Sequence, residues 1–554
     1  MYNHKQLHYL SSMEKVAQYL RHHILGEVYT DKKILEYFST DGSVLTLMPK
    51  IIIYPRRTSD VRKLTRFTWQ LAEKGTSVPI TARGRGTDQA GGALGEGVVV
   101  SFPGHMNRVI ELTKDTVSVQ PGIIYRNLQD ILKTHGRFLP PYPSSIDYST
   151  IGGAVANNAG GQNSFKYGMT RDYVKSLEVV LANGERINTK RLTKRELNKK
   201  KGETSFEAEI YRKVDGLITD NAELIKETDL GLSKNSAGYE LRGIKRKDGS
   251  FDLTPLFVGS QGTLGLITEI TLRTEPYNPN TNLILAFFDD ITKAGEAVEM
   301  LRELKPLAIE MVDQNLLNFV QKHNPRQLNE LLEEPFPKLV LIVEFNNEKK
   351  QIRNNKSRKA KKILRDKAFE IIHTEDIYEQ EVIWKIRHSA AAVAASDSVD
   401  GAKALPVIED GIVPQEKFTE FLEAIYAIFK KYKLEVSVWG HAGDANLHTQ
   451  PFLNLAKTAD RQKMFKLMDE YYDLLIKMGG TTNGEHSDGR LRAPYLPLIF
   501  GEEMYDVYKK INEIFDPYST LNPGVIIGTE KKDLPGMLRR EFSMKHLADH
   551  LPRT

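Results

Sequence analysis

The spacing of hydrophobic and polar positions divides this chain into four parts. Residues 1–45 follow a helical period, with an amphipathic segment near 13–25. Between 46 and 276, short apolar runs separated by glycine-rich turns predict strands with a few helices. Between 277 and 528, apolar strands alternate with amphipathic helices, which favours an antiparallel sheet covered by helices on one face. Residues 529–554 are charged and lack a clear core pattern, so the whole chain is predicted to be an α+β protein.

The same periods predict the individual elements. Residues 61–74 form a well-defined helix, and residues 379–398 form a long one. Residues 275–281 contain two prolines and two asparagines, which is typical of a linker. Strands are predicted at 98–102, 116–119, 177–181, 266–273, 283–288, 308–312, 339–345 and 407–412.

Composition limits the chemistry. The chain has 554 residues, of which 40% are hydrophobic and 27% are charged, as in an ordinary globular protein of two or three domains. It contains no cysteine, which excludes disulfides, iron–sulfur clusters, thiol nucleophiles and cysteinyl-flavin links in this polypeptide.

The charge distribution bears on partners and location. The net charge is only +5, and the basic residues cluster in 190–201 and 349–367 without aromatic residues among them. A nucleic-acid partner is therefore not expected, and weak contact with an anionic membrane surface fits the clusters better. No apolar run reaches 18 residues and no secretory leader is evident, which favours a cytoplasmic protein, with the inner face of the membrane as a peripheral location.

A pair of histidines marks the most informative segment. Apolar flanks surround the turn residues 442–446, which predicts a β-hairpin. A turn centred between Asp444 and Ala445 makes His441 and His448 direct cross-strand neighbours, with Cβ atoms roughly 5 Å apart. Two imidazoles at that separation can chelate one divalent ion. The alternative is a hairpin in which both histidines are simply hydrogen-bonded.

A third ligand is available further along the chain. Glu485 lies in the segment 483–489, where two glycines allow the backbone to approach a site closely. Two histidines and one carboxylate are a common ligand set of open catalytic metal centres. The sequence therefore predicts that Glu485 joins the histidine pair around one cation.

Three glycine-rich segments lie in the N-terminal half, at 79–93, 143–161 and 258–269. Closely spaced glycines let backbone N–H groups converge on an anion. The first segment is not a Walker loop, since no Gly-Lys-Ser/Thr follows, and a strand rather than a helix comes after it, unlike in a Rossmann fingerprint. Structural turns would explain one such segment, whereas three in one domain predict an extended ligand along the backbone.

Together these motifs resemble one family. The chain is similar to flavoproteins of the vanillyl-alcohol-oxidase type, in the D-2-hydroxyacid dehydrogenase branch. That branch includes the glycolate oxidase flavin subunit, D-lactate dehydrogenases and D-2-hydroxyglutarate dehydrogenase. The similarity extends from the segment 37–41 to the segment 515–524. It implies a PCMH-type FAD-binding domain of two subdomains at 46–276 and an α+β cap domain at 277–528.

The resemblance also assigns residues to FAD. The loop 83–93 would cradle the pyrophosphate, the residues 144–161 and 167–168 would line the ribityl chain and isoalloxazine, and Ile267 would hold the adenine half. Relatives with covalent flavin carry histidine at the position of Thr87, so the FAD here is expected to be non-covalent. The implied flavin-binding residues are Arg83, Gly84, Arg85, Gly86, Thr87, Asp88, Ser144, Ser145, Ser149, Gly152, Gly153, Asn157, Tyr167, Gly168, Gly262, Ile267 and Asn522.

For the reacting centre, the family implies a metal and a base. His441, His448 and Glu485 would hold one divalent ion, zinc in the first instance, with manganese or iron as alternatives. Oxidising a 2-hydroxy acid needs a base for the hydroxyl proton and a hydride acceptor. His486 would be that base, and the alternative for it is a hydrogen-bonding neighbour of the ligands.

Other residues receive roles from the same comparison. Arg387 would grip the substrate carboxylate bidentately, unless it is a solvated helix arginine, and Asn446 would contact substrate or flavin. Lys403 is a weaker candidate for the carboxylate, and residues 409–410 match a strand motif with a structural role. The family commonly has glycine where this chain has alanine 445 and serine 487, two small departures at the active loops.

Three functions remain open at this point. A dehydrogenase would take a small 2-hydroxy acid and pass electrons to an iron–sulfur subunit, a quinone or an electron-transfer flavoprotein, as a homodimer or in a hetero-complex. A flavin-dependent alkyl transferase of the alkylglycerone-phosphate synthase type shares the fold, but it needs a different histidine-rich site and a phosphate pocket. A non-catalytic flavin subunit of an electron-transfer complex would have no use for the histidines and Glu485.

Overall fold

Helices and mostly antiparallel sheets are combined in this chain, which confirms the predicted α+β class. The computed structural model describes residues 4–323, 334–395 and 401–547. Within these ranges the strands form a four-stranded, a five-stranded and an eight-stranded sheet, together with a two-stranded ribbon.

The first two sheets belong to the N-terminal half. The strands are β1 Glu27–Tyr29, β2 Ile51–Tyr54, β3 Ile80–Arg83, β4 Val98–Ser101, β5 Val109–Leu112, β6 Thr116–Val119, β7 Arg137–Phe138, β8 Val174–Val180, β9 Arg186–Asn188 and β10 Leu266–Arg273. The four-stranded sheet has the order β1-β2-β4-β3, with β2, β3 and β4 parallel, and the antiparallel five-stranded sheet has the order β5-β6-β10-β8-β9.

Helices cover these sheets and connect their strands. They are α1 His4–His23, α2 Lys32–Phe38, α3 Thr58–Glu73, α4 Tyr125–Thr134, α5 Ile151–Asn157, α6 Ser164–Tyr167, α7 Lys194–Lys201, α8 Phe206–Asp220, α9 Ala222–Glu227 and α10 Thr254–Phe257. The first glycine-rich segment contains β3 and continues past its carboxyl end, the second contains α5, and the third leads into β10. Residues from all three segments line one cavity.

The eight-stranded sheet forms the centre of the C-terminal half. The strands of this half are β11 Glu275–Pro276, which pairs with β7, β12 Asn282–Phe288, β13 Ala308–Asp313, β14 Leu339–Phe345, β15 Glu370–Thr374, β16 Lys403–Ala404, β17 Gly411–Ile412, β18 Val436–His441 and β19 Asn446–Leu453. The eight-stranded sheet has the order β15-β12-β14-β13-β18-β19-β16, with β17 paired to β19. The helices are α11 Ile291–Arg302, α12 Gln314–His323, α13 Lys350–Leu364, α14 Ile377–Ala395, α15 Phe418–Tyr432, α16 Thr458–Lys477, α17 Leu496–Phe500, α18 Glu502–Phe515 and α19 Leu534–Met537.

Side chains alternate between the two faces of this sheet. One face carries Met311 and Val438 and packs with α11, α13 and α15 into the largest core. The opposite face carries Val312 and Trp439 and packs against α12 and α14, so helices cover both faces and the predicted coverage of one face is wrong. Because Trp439 pairs with His448 in register, the hairpin histidine lies on this second face.

Two predicted elements begin at other residues in the structure. The strand expected at 407–412 shrinks to β17, because Asp410 adopts a left-handed conformation with φ of 67° and interrupts the extended backbone. That strand prediction is wrong. The helix expected at 379–398 begins at Ile377 and is described as far as Ala395, so its predicted end lies outside the described residues.

Residues 534–547, which we call the C-terminal strap, pack on the N-terminal half although the sequence shows no core pattern there. Leu534 and Phe542 are buried in the largest core, and Leu538 forms a β-bridge with Leu45. Arg539 is 4% exposed, and its Nε donates to the Leu45 carbonyl at 2.9 Å.

The end of the strap reaches the first glycine-rich segment. The Nη2 of Arg85 donates to the carbonyl of Leu547 at 2.9 Å, and Nε2 of His546 lies 2.8 Å from the carbonyl of Gly86. His546 is itself buried. In the described parts of the chain, no helix combines the length and apolar character needed to cross a membrane.

Candidate active site

A cavity that opens to solvent lies between the three glycine-rich segments. Its walls include Phe102 and Pro121, which lie outside these segments, and Thr150 and Gln261, which lie within them. Of the predicted flavin residues, the cavity is lined by Arg83, Gly84, Arg85, Gly86, Thr87, Asp88, Gly152, Gly153, Asn157, Gly262 and Ile267.

Asp88 ties the three walls together. Its Oδ1 accepts hydrogen bonds from the backbone N–H groups of Ala90 and Gly92 at 2.9 and 2.8 Å. Its Oδ2 accepts from the side-chain amides of Asn157 and Gln261 at 2.8 and 3.0 Å. Both oxygens are occupied by protein donors, so this carboxylate shapes the cavity.

The buried Arg83 side chain supports the first glycine-rich segment through hydrogen bonds to backbone carbonyls. It is 2% exposed and donates to the carbonyls of Thr40 and Ala93 at 2.8 and 3.3 Å. Gly86 has a φ of 72°, and a Cβ there would collide with the Arg83 guanidinium. Arg83 thus supports the loop, and the closely spaced glycines of this wall suit the phosphates of a dinucleotide such as FAD.

The remaining predicted flavin residues do not line the cavity among the described residues. Asn522 joins two of its walls, since Nδ2 donates to the carbonyls of Gly92 and Gln261 at 2.8 Å each. The Tyr167 hydroxyl accepts from Nδ2 of Asn346 at 3.1 Å. The roles of these residues stay predictions: Ser144, Ser145, Ser149, Tyr167, Gly168 and Asn522.

The hairpin β18–β19 brings the two histidines together in a different register from the predicted one. His441 pairs with Asn446, and His448 pairs with Trp439. The expected direct opposition is wrong because a 3₁₀ turn, closed by Ala445 with φ of 57°, centres the loop one residue earlier. The imidazoles are diagonal neighbours with ring centroids 5.2 Å apart, which keeps them on one face and within reach of one ion.

Glu485 completes a buried cluster with these histidines. Its Oε1 lies 3.1 Å from Nε2 of His441 and 3.5 Å from Nε2 of His448. The three donor atoms lie within 4.8 Å of one another. Donors around a tetrahedral ion with bonds of about 2.1 Å are about 3.4 Å apart, so the residues present fit one divalent cation.

Each histidine is oriented by a buried carboxylate. Oε1 of Glu310 lies 2.7 Å from Nδ1 of His441, and Oε2 of Glu409 lies 3.0 Å from Nδ1 of His448. A carboxylate at Nδ1 favours the tautomer whose Nε2 has its lone pair available. No local pattern in the sequence marks Glu310, because only the pairing of β13 with β18 brings it to the hairpin.

Asp410 builds the turn that carries the third ligand. Its Oδ2 accepts the backbone N–H groups of Glu485 and His486 at 2.8 and 2.7 Å. Its Oδ1 accepts from Nδ2 of Asn446 at 3.0 Å, so the Asn446 amide is engaged in holding this turn. The left-handed backbone at Asp410, which delays the start of β17, thus places residues 409–410 at the cluster. Serine 487, where the family commonly has glycine, also has a positive φ, of 62°.

His486 lies at the margin of the cluster. Its ring stacks on that of His448 with centroids 5.2 Å apart, and its Nε2 lies 3.8 Å from Oε1 of Glu485. Its side chain is 25% exposed, whereas Glu485 is almost fully covered. Burial would lower the pKa of His486, but the carboxylates of Asp410 and Glu409 outweigh this effect and raise the pKa. A cation at the cluster would act in the opposite direction.

Arg387, on α14, reaches the cluster of His441, His448 and Glu485 through Glu310. It is 3% exposed, and its Nε donates to Oε2 of Glu310 at 2.7 Å, so it is not a solvated helix arginine. Glu310 therefore connects Arg387 to His441. Lys403 lies in β16, where it pairs in register with Leu453.

A buried lysine balances part of the negative charge. Nζ of Lys234 lies 2.9 Å from Oε2 of Glu485 and 3.3 Å from Oδ2 of Asp444. Burial would raise the pKa of Glu485, but the charges of His441 and Lys234 outweigh it and hold the pKa well below its usual range. Glu485 is thus ionised, which is the form that binds a cation. No pattern in the sequence connects Lys234 with this cluster.

The sheets, the cavity and the cluster together define a flavoprotein of the PCMH-type fold. Two family models match the chain, an FAD binding domain over residues 49–190 and the FAD linked oxidases, C-terminal domain, over residues 278–526. The solved structure of p-cresol methylhydroxylase with substrate bound matches with a TM-score of 0.67 at 13% identity. The match covers 92% of this chain and 96% of that one, and it shows the fold alone.

The chain belongs to the family of FAD-linked oxidases that includes the glycolate oxidase subunit GlcD of Bacillus subtilis. The two sequences are 30% identical over 490 residues, which are 88% of this chain and 90% of the relative. The D-2-hydroxyglutarate dehydrogenase of Escherichia coli is 30% identical over 514 residues, which are 90% of this chain and 50% of that protein. This chain therefore spans about half the length of the D-2-hydroxyglutarate dehydrogenases that it matches.

Proposed function

We propose that this chain oxidises a D-2-hydroxy acid to the 2-oxo acid with non-covalent FAD and one divalent cation, zinc in the first instance. The observation that carries the proposal is the convergence of His441, His448 and Glu485 beside His486 and Arg387. The names of the relatives, a glycolate oxidase subunit and a D-2-hydroxyglutarate dehydrogenase, support the substrate class.

Each residue has a task in this reaction. Arg387 supplies a fixed positive charge for the substrate carboxylate, because Glu310 holds its Nε edge. His486, the partly exposed member of the group, takes the hydroxyl proton on its ring nitrogen. Bound FAD would supply the hydride acceptor, and a bound divalent cation would polarise the substrate hydroxyl.

Electrons then leave for a separate acceptor. The chain has no cysteine with which to hold an iron–sulfur cluster of its own. An iron–sulfur subunit, a quinone or an electron-transfer flavoprotein can serve as the acceptor, in a cytoplasmic complex or at the inner face of the membrane.

Anaerobic reduction of the bound flavin tests the proposal. The purified holoenzyme is mixed with D- and L-2-hydroxy acids from glycolate to 2-hydroxyglutarate, and the visible flavin absorbance is followed. We expect a D isomer to bleach the flavin, and we expect His486→Gln to slow bleaching by about 10²- to 10⁴-fold. His135→Gln, a change at an exposed histidine, is the matched control. Failure of every acid to reduce the flavin, while dithionite succeeds, would favour the non-catalytic alternative.

A further inference from the structure

The two oxygens of Glu485 face different partners. Oε1 lies 3.1, 3.5 and 3.8 Å from the Nε2 atoms of His441, His448 and His486. Oε2 lies on the far side, 2.9 Å from Nζ of Lys234. The carboxylate therefore separates the histidine cluster from a buried ammonium group.

The space around Oε2 is closed. A Cβ on Gly160 would lie 2.6 Å from Oε2 and 2.7 Å from Sδ of Met169, so only a hydrogen fits at that position. The Lys234 side chain is 1% exposed, and its second carboxylate partner, Asp444, is 3% exposed. Rotation of Oε2 toward the histidines would separate a buried ammonium from its nearest anion, which is costly in a low-dielectric interior.

Residues 236–238, which follow Lys234, form hydrogen bonds to the segment 483–488 that carries Glu485. The N–H of Ser236 donates to the carbonyl of Asn483 at 3.0 Å, and its hydroxyl donates to the carbonyl of Gly484 at 3.1 Å. The N–H of Gly238 donates to Oδ2 of Asp488 at 2.8 Å. The segment that carries Lys234 is thus docked on both sides of Glu485, so its ammonium group has a defined place.

We propose that Lys234 is a positioning residue that holds Glu485 as a one-oxygen ligand. With two imidazoles and one oxygen from the protein, a cation would keep coordination positions open for the hydroxyl and carboxylate of a 2-hydroxy acid. This inference rests on the proposed function, because it concerns the cation of that site.

An electrostatic role and a positioning role of Lys234 predict opposite changes in the affinity for a dication. Lys234 is a positive charge next to a ligand of a positive ion, so its removal lowers the repulsion felt by an incoming dication. A purely electrostatic role therefore predicts tighter binding of the dication after Lys234→Met. A positioning role predicts weaker binding, because the carboxylate loses the partner that orients it.

Zinc affinity of the FAD holoenzyme, measured by competition with a chelator, distinguishes the two. We expect Lys234→Met to weaken zinc binding by about 10- to 100-fold, as for other residues that orient metal ligands, and Lys234→Arg to recover part of the loss. The FAD content should stay at the wild-type level. Lys245→Met, which removes a half-exposed lysine paired with Asp215, is the matched control and should leave zinc affinity unchanged.

Other outcomes overturn the proposal at different points. Unchanged or tighter zinc binding in Lys234→Met excludes a positioning role but leaves the proposed function intact. A wild-type protein that binds no zinc, manganese or iron overturns both the positioning role and the proposed function.

If Lys234→Met does not fold, Gly160→Ala takes its place, since a Cβ would press on Oε2 without any change of charge. Wild-type zinc affinity in Gly160→Ala would then contradict the proposal.

Discussion

Nδ1 of His441 and Oε1 of Glu310 lie 2.7 Å apart, and both side chains are almost completely buried. The other oxygen of Glu310 accepts from Arg387, so a single carboxylate orients a proposed metal ligand and a proposed substrate-binding residue. A change at Glu310 should therefore affect both.

Glu310→Gln should destabilise the protein by about 3–5 kcal/mol, because it leaves the buried guanidinium of Arg387 without a carboxylate. Denaturant unfolding measures this loss. The double variant Glu310→Gln/Arg387→Met removes both charges and should recover most of it. Asp473→Asn, which breaks an exposed pair with Lys477, serves as the control. Equal losses in Glu310→Gln and Asp473→Asn would refute the buried ion pair.

The C-terminal strap should affect FAD binding without touching the reacting centre. Arg539→Ala removes the hydrogen bond that joins the strap to Leu45, and the strap also contacts the carbonyl of Gly86. We expect the dissociation constant of FAD to rise about tenfold, which corresponds to about 1.4 kcal/mol. Arg540→Ala, a change at the exposed neighbour, should leave FAD affinity as it is. The same affinity in both variants would show that the strap does not support the loop.

The strap should also loosen in acid. Burial lowers the pKa of His546 from 6.5 to about 3, and the charges of Arg83 and Arg539 add to the effect. Because the folded state binds the proton less well than the unfolded state, this histidine contributes stability above pH 6.5, and that stability is lost as the pH falls toward 3.

At pH 5 the loss amounts to about 2 kcal/mol. Proteolytic cleavage of the strap, followed between pH 7.5 and 5, should accelerate in the wild type. It should show a weaker pH dependence in His546→Gln. An unchanged cleavage rate across this range would mean that His546 does not control the strap.

Denaturation should release the flavin. The chain has no cysteine, and the family resemblance implies that Thr87 replaces the histidine to which covalent flavin would be linked. After acid precipitation we expect FAD in the supernatant and a colourless pellet, measured by absorbance and fluorescence. A flavin that stays with the precipitated protein would contradict the non-covalent assignment.

Local sequence patterns were sufficient for most of the sheet elements. Residues 116–119, 266–273 and 339–345 form the strands that their apolar runs predict. The glycine-rich segments do line one cavity, and the hairpin does bring His441 and His448 together. These features depend on residues that are near one another in sequence, where period and turn chemistry are informative.

The features that were not predicted from the sequence each have a specific physical cause. The hairpin register depends on whether Ala445 adopts a left-handed conformation. The sequence does not indicate this conformation, because alanine seldom adopts it. Glu310 and Lys234 reach the cluster only through pairings across 131 and 251 positions of the chain. A single sequence has no signal for such contacts. The strap was missed because its buried residues follow neither a helical nor a strand period.

The link between Arg85 and Leu547 spans 462 positions and has a consequence for how the protein is made. At 5–20 residues per second, a ribosome needs about 25–90 s to travel from the first of these residues to the second. Throughout that interval the nascent chain contains the first glycine-rich segment but not the C-terminal strap that contacts it. Tight capture of the coenzyme is therefore expected only after residue 547 has left the ribosome and the strap has docked.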